Sequence, residues 1–116
     1  MGHSQRDALA SHLGILLTHL LKLVVATRYR PNDLVRAGRG WRQSCRVQRL
    51  QIAKRLRRNP SLHRVVPEEC ADAYEIARVE AAIALEVDEE AVPLVCPWTP
   101  EQVLDAEFWP VEETTP

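Results

Sequence analysis

Leu9, Leu13, Leu16, Leu17, Leu20 and Val24 fall at i, i+4, i+7, i+8, i+11 and i+15, which is one face of a helix. Ile15, Leu21, Leu23 and Val25 lie beside that stripe and widen it. The spacing predicts a helix over 4–27, apolar around much of its circumference and central to the fold. Ser4 is the candidate N-cap, with Asp7 at the capping-box position three residues on. A second, narrower stripe runs through Trp41, Cys45, Gln48, Ile52 and Leu56 and predicts a helix over 41–58. Asn59-Pro60 ends it, because proline disfavours helix in the residue before it.

Between these two lies "RYRPNDLVRAGRG", 28–40, which reads as a break: Pro31 lacks a backbone donor, and Asn32, Asp33, Gly38 and Gly40 are turn formers. A third helical segment is expected over 61–85, starting at Ser61, pausing at Pro67 and continuing on a face of small residues: Cys70, Ala73, Tyr74, Ala77, Ala81 and Ala84. Residues 86–98, "EVDEEAVPLVCPW", read as an acidic, then proline-rich strap. "TPEQ" at 99–102 places Thr99 as cap, Pro100 at the first helical position and Gln102 to close a capping box. That short helix buries Val103 and Leu104 and ends by Pro110. The expected fold is therefore all-α: a small bundle of three long helices, a short C-terminal helix and an extended strap, as one domain over 1–110 with a polar tail at 111–116.

Composition sharpens this picture. Aromatics are only 5% of 116 residues while hydrophobic residues are 46%, so the core must be built of Leu, Val and Ala, which favours helix over strand. Cys45, Cys70 and Cys96 are odd in number and widely spaced; with no CxxC, neither a zinc knuckle nor a redox dithiol is signalled. Cys45 and Cys70 read as small core residues, and Cys96 as a reachable thiol that nothing activates. The apolar stretch Leu13–Val25 is too short to cross a bilayer and carries Thr18, His19 and Lys22. The N-terminus lacks the order of a signal peptide, so the expectation is a cytoplasmic protein without a membrane segment.

Charge changes the picture most. Residues 1–64 hold fourteen Lys or Arg against two acids, and residues 65–116 hold one against fourteen acids. Within 40–62 there are Arg42, Arg46, Arg49, Lys54, Arg55, Arg57 and Arg58 and no acid. Such asymmetry points either to nucleic acid or to an internal pair of surfaces. Consecutive helices joined by a short turn tend to pack antiparallel. The expectation is that some of the arginines lie beside Glu68, Asp72, Glu75 or Glu80 of the third helix and the rest form a solvated surface. The alternative is a nucleic-acid surface made by Arg42, Arg46, Arg49, Lys54, Arg57 and Arg58, though no aromatic residues are interleaved for base stacking.

Four stretches in order, "LLTHLLK", "GWRQSCRVQRLQIAKRLRRNPSL", "ADAYEIARVEAA" and "CPWTPEQVLDAEFWP", resemble the bacterial family catalogued as domain of unknown function 29. That family shows His-Leu-Leu-Lys, then Ser-Trp-Arg with a Glu-Gln-Arg helix, a Pro-Ser-Leu turn, an Ala-Tyr-Glu-x-Ala-Arg helix and a closing Cys-Pro-Tyr-Thr-x-Glu-Gln-x-Leu-Asp-x-x-Phe segment. The resemblance covers about 6–110. It implies an all-helical, bacterial, cytoplasmic protein and no particular activity. Two departures stand out: the further N-terminal stretch usual in the family is not present before Asp7, and "RPNDLVRAGRG" is longer than expected. The first implies an apolar face on the first helix open to a second copy or another protein.

The remaining candidates are polar residues set among apolar ones. His19, Trp41, Gln48, Arg49, Tyr74 and Glu80 form a possible polar cluster. One reading is a small-ligand or enzyme site, with His19 and Glu80 as acid–base partners and Arg49 as an anion clamp. The other is a buried hydrogen-bond network that fixes helix register. No catalytic or metal-ligating set is recognisable and no cofactor is called for. The sequence therefore favours a non-enzymatic domain that acts by protein–protein contact, as a homo-oligomer or with a partner. Nucleic-acid binding through 41–58 and the small-ligand site remain alternatives.

Overall fold

A computed structural model describes residues 2–110; the tail expected at 111–116 lies outside them. Four α-helices form, α1 Gly2–Tyr29, α2 Pro31–Arg58, α3 Val66–Leu85 and α4 Pro100–Leu104, with no strand among the described residues. Short 3₁₀ turns occupy Pro60–Val65 and Glu89–Ala91. The expected all-α bundle of three long helices with a strap and a short terminal helix is what forms.

α1 is the hub. Leu9, Leu13, Leu16, Leu17, Leu20, Leu21 and Leu23 are all fully buried, which no single stripe would achieve. Burying each is worth about 1.5–3 kcal/mol. The helix can bury leucines on several sides because α2 and α3 flank it on different sides and barely touch one another. Arg55 and Asn59, late in α2, reach Gln5, while Trp41, early in α2, meets Lys22, so α2 runs antiparallel to α1. Arg6 meets Glu68 and Glu69 at the start of α3, so α3 runs parallel to α1.

α1 also reaches, over Ser4–Tyr29, the length and apolar composition of a membrane span, which corrects the expectation drawn from Leu13–Val25 alone. In the folded chain this apolarity is spent on contacts with α2 and α3. Ser4 sits inside α1 and not at its cap, since the helix already includes Gly2.

The break expected over 28–40 shrinks to one residue. Arg30 alone is non-helical, and 31–40 form the first turns of α2. Pro31 stands at the helix start, where its missing N–H has no partner to lose. Asp33 lies in the first turn, where the helix dipole favours an anion. Its carboxylate accepts from Arg30 at 2.9 Å and from Arg36 at 2.7 Å, and these hydrogen bonds, Arg30 first, lower its pKa. Proline, acid and flanking arginines together outweigh the helix-breaking tendency of Gly38 and Gly40.

The third segment divides at Val65, with a 3₁₀ turn before and α3 after, and Pro67 in the first turn of α3 as expected. α3 stops at Glu86, whose φ of 59° is left-handed. The strap then folds back along α3. Arg78 donates to the carbonyls of Val92 at 3.0 Å and Glu89 at 2.8 Å, and Val92 is buried. At α4 the capping box is complete: Thr99 Oγ1 accepts from the Gln102 backbone at 3.1 Å, and Gln102 Oε1 accepts from the Thr99 backbone at 3.0 Å. The helix ends after Leu104, earlier than Pro110 would require, because the Asp105 carboxylate turns back to accept from the Glu107 N–H at 2.9 Å.

Candidate functional site: the faces of α2 and the α1–α3 groove

The basic helix does not meet the acidic one. No ion pair joins α2 to α3 among the described residues. The acids Glu68 and Glu69 pair with Arg6 of α1, and Arg78 pairs with Glu89 of the strap. The expected α2–α3 pairing fails because α2 has one narrow apolar stripe and α3 one small-residue face, and both are satisfied by α1. The space left between them is filled by the strap and α4.

Helical spacing sorts the cations of α2 onto two flanks. Arg42, Arg46 and Arg49, at i, i+4 and i+7, share one flank, turned toward the C-terminal segment. With Arg39 they line a cavity of about 690 Å³ whose other wall includes Leu104, Glu107 and Trp109. Lys54 and Arg58 lie on the other flank, beside Gln5 and Asn59 at the α1 side, and Val47 is exposed one turn and more before them. Arg57 is exposed between the flanks. So the six residues considered for nucleic acid do not form one stripe, and Arg49 is buried.

The six residues of the expected polar cluster are also dispersed. His19 Nδ1 is held by the Ile15 carbonyl of its own helix at 2.9 Å. Burial, chiefly, pushes its pKa below the usual histidine value, and the nearby Lys22 adds to this. Trp41 lies 5.7 Å under the Lys22 ammonium. Gln48 is hydrogen-bonded to His12 Nδ1 at 2.6 Å, a partnership the stripe pattern did not signal, although both residues interrupt apolar faces. Tyr74 donates its O–H to the Pro93 carbonyl at 2.6 Å, and burial raises it to about 12. Arg49 donates Nε–H to the Val103 carbonyl at 2.8 Å, beneath the Trp109 ring. Trp41, Gln48, Arg49 and Tyr74 therefore each bridge a different junction, while His19 bonds only within α1. His19 and Glu80 line one cavity.

That cavity is a groove of about 570 Å³ between α1 and α3. Its floor is small or aliphatic: Ala10, Gly14, Ala73 and Ala77, with Ile15 and Ile76 on the lips. Ile15 is 40% and Ile76 66% exposed. A side chain at Gly14 would meet nothing within 4 Å, so the groove reaches down to the α1 backbone. Asp7, Asp72 and Glu80 stand on its rim without an ion pair among the described residues.

Cys45 and Cys70 are buried free thiols, pushed up to about 12 and about 11 by desolvation. Cys96 is half-buried, also raised by burial, and points its Sγ at the Trp98 carbonyl. None is activated as a nucleophile. Among the described residues no three His, Cys, Asp or Glu side chains are grouped to hold a metal ion.

No curated protein and no solved structure matches the chain. A family model does match, over residues 1–109, and it spans all four motifs, the α1 hub, both flanking helices and the capped α4. The chain belongs to the family described as the domain of unknown function DUF29.

Proposed function

We propose that the domain acts by protein–protein contact and that its partner is a second copy of itself. One observation carries this reading. The acid-rimmed apolar groove of α1–α3 and the cationic flank of α2 at Lys54 and Arg58 carry charges with no ion pair among the described residues, and α1 holds them apart. Each surface also exposes aliphatic side chains, Ile15 and Ile76 on one and Val47 on the other. The strap and α4 fill the other side of the bundle. Apolar contact and the opposed charges would together supply the affinity, and the charges also the register. A two-fold axis would let each copy offer its α2 flank to the other's groove, so the interface would close on itself.

Light scattering on purified protein tests this. The mass should be that of a dimer at low salt and fall toward 13.2 kDa as salt is raised, because exposed charges are screened beyond about 8 Å at physiological ionic strength. A monomer at every salt and concentration contradicts the reading.

A second reading is kept for one observation: no acid occurs between Asp33 and Glu68, so α2 presents only positive charge after its first turn. A nucleic-acid backbone would answer that charge, with affinity falling steeply with salt. Gel shift with single- and double-stranded oligonucleotides separates the two. Binding that survives when dimerisation is abolished favours the second reading.

A further inference from the structure

Arg49 is 5% exposed, and its only hydrogen bond among the described residues runs from Nε to the Val103 carbonyl. Nη1 and Nη2 are buried with no partner among the described residues. A guanidinium keeps its charge at any physiological pH and offers up to five donors in a planar fork. Leaving such donors unmet in the interior is among the least favourable arrangements a protein adopts. Among the described residues no carboxylate forms an ion pair with Arg49; Asp105 acts on it only through space, and the Trp109 ring, its centroid 5.0 Å away, offers only a weak substitute.

The surroundings add to this. Arg39, Arg42 and Arg46 line the same cavity and are exposed, with no ion pair among the described residues. Glu107 is the one carboxylate on its wall. Four guanidinium groups against Glu107 and the nearby Asp105 leave net positive charge, which calls for a ligand with more than one negative charge, and the Arg fork matches phosphate oxygens two at a time.

We propose that the cavity between α2 and the 104–109 segment is a binding site for a small phosphate-bearing anion, with Arg49 as its buried anchor and Arg42 and Arg46 as its outer clamp. To reach the two idle nitrogens the ligand must turn the Trp109 ring aside. Residues 105–110 carry no helix that would resist this. The site lies on the side of the bundle away from the α1–α3 groove, so it does not rest on self-association.

Calorimetric titration of the full chain with inorganic pyrophosphate at low salt is the test, with inorganic phosphate as a second arm and tryptophan fluorescence recorded in parallel. The expected result is saturable one-to-one binding, a fluorescence change, and a loss of about tenfold or more in affinity for Arg49→Gln and for Arg46→Gln. Arg64→Gln removes one exposed charge elsewhere and should leave affinity within about twofold. Trp109→Ala should bind at least as tightly as the natural chain. Absence of saturable binding overturns the proposal, as does an equal loss in Arg46→Gln and Arg64→Gln, which would mark mere attraction to net charge. Should Arg49→Gln fail to fold, the comparison of Arg46→Gln with Arg64→Gln decides alone.

Discussion

Arg49 and Val103 are joined by a 2.8 Å hydrogen bond across 54 positions of sequence, and it is the link that holds α4 against the middle of α2. The bond satisfies one donor of a buried charge and leaves the two Nη nitrogens without partners among the described residues. Arg49→Met should therefore cost little: the lost bond, about 1 kcal/mol, is offset by removing an uncompensated buried charge. Urea denaturation should place the variant within about 1 kcal/mol of the natural chain. A loss of several kcal/mol would mean that Arg49 is retained for stability and not for a ligand.

Gly40 lies inside α2, and a side chain there would meet nothing within 4 Å. Gly40→Ala should raise stability by about 0.5–1 kcal/mol, the helix-propensity difference between the two residues. If 28–40 were a turn that needed glycine, the same change would be neutral or harmful.

Glu86 closes α3 with φ at 59°. Side chains other than glycine pay a steric cost in that conformation, so Glu86→Gly should stabilise by about 0.5–1 kcal/mol. A shift of the thermal midpoint upward checks it.

His19 is held below its usual pKa of 6.5, first by burial and then by Lys22. The sign follows directly. Above pH 6.5 the residue is neutral in both folded and unfolded chains and imposes no penalty. As pH falls below 6.5 the unfolded chain takes up the proton first, so stability declines until the folded pKa is passed. Chemical denaturation from about pH 8 down to about pH 5 should show a steeper loss for the natural chain than for His19→Gln. Parallel curves would contradict it.

Helix positions were legible because the α1 leucines and the Thr99–Gln102 box are local signals. The first turns of α2 were not, since Gly38 and Gly40 speak for a turn and only Pro31 and Asp33 together reveal a helix start. The neighbour relation of α2 and α3 was misread for a different reason. Charge composition shows that two helices are opposite in sign, but which helices touch is decided by apolar area, and α1 offers enough for both. The polar candidates were found as residues and not as a site: His19, Gln48, Arg49 and Tyr74 each interrupt an apolar face, yet their partners, Ile15, His12, Val103 and Pro93, are mostly backbone carbonyls that no side-chain pattern encodes.

Mixing two charge-reversed variants tests the self-association account most directly. Lys54→Glu with Arg58→Glu alters only the α2 flank, and Asp72→Lys with Glu80→Lys alters only the groove rim. Light scattering should find each double variant monomeric alone and a dimer restored when the two are combined, because both reciprocal contacts then have opposite charges meeting again. Two variants that stay monomeric together, or that dimerise as well as the natural chain when separate, would contradict it.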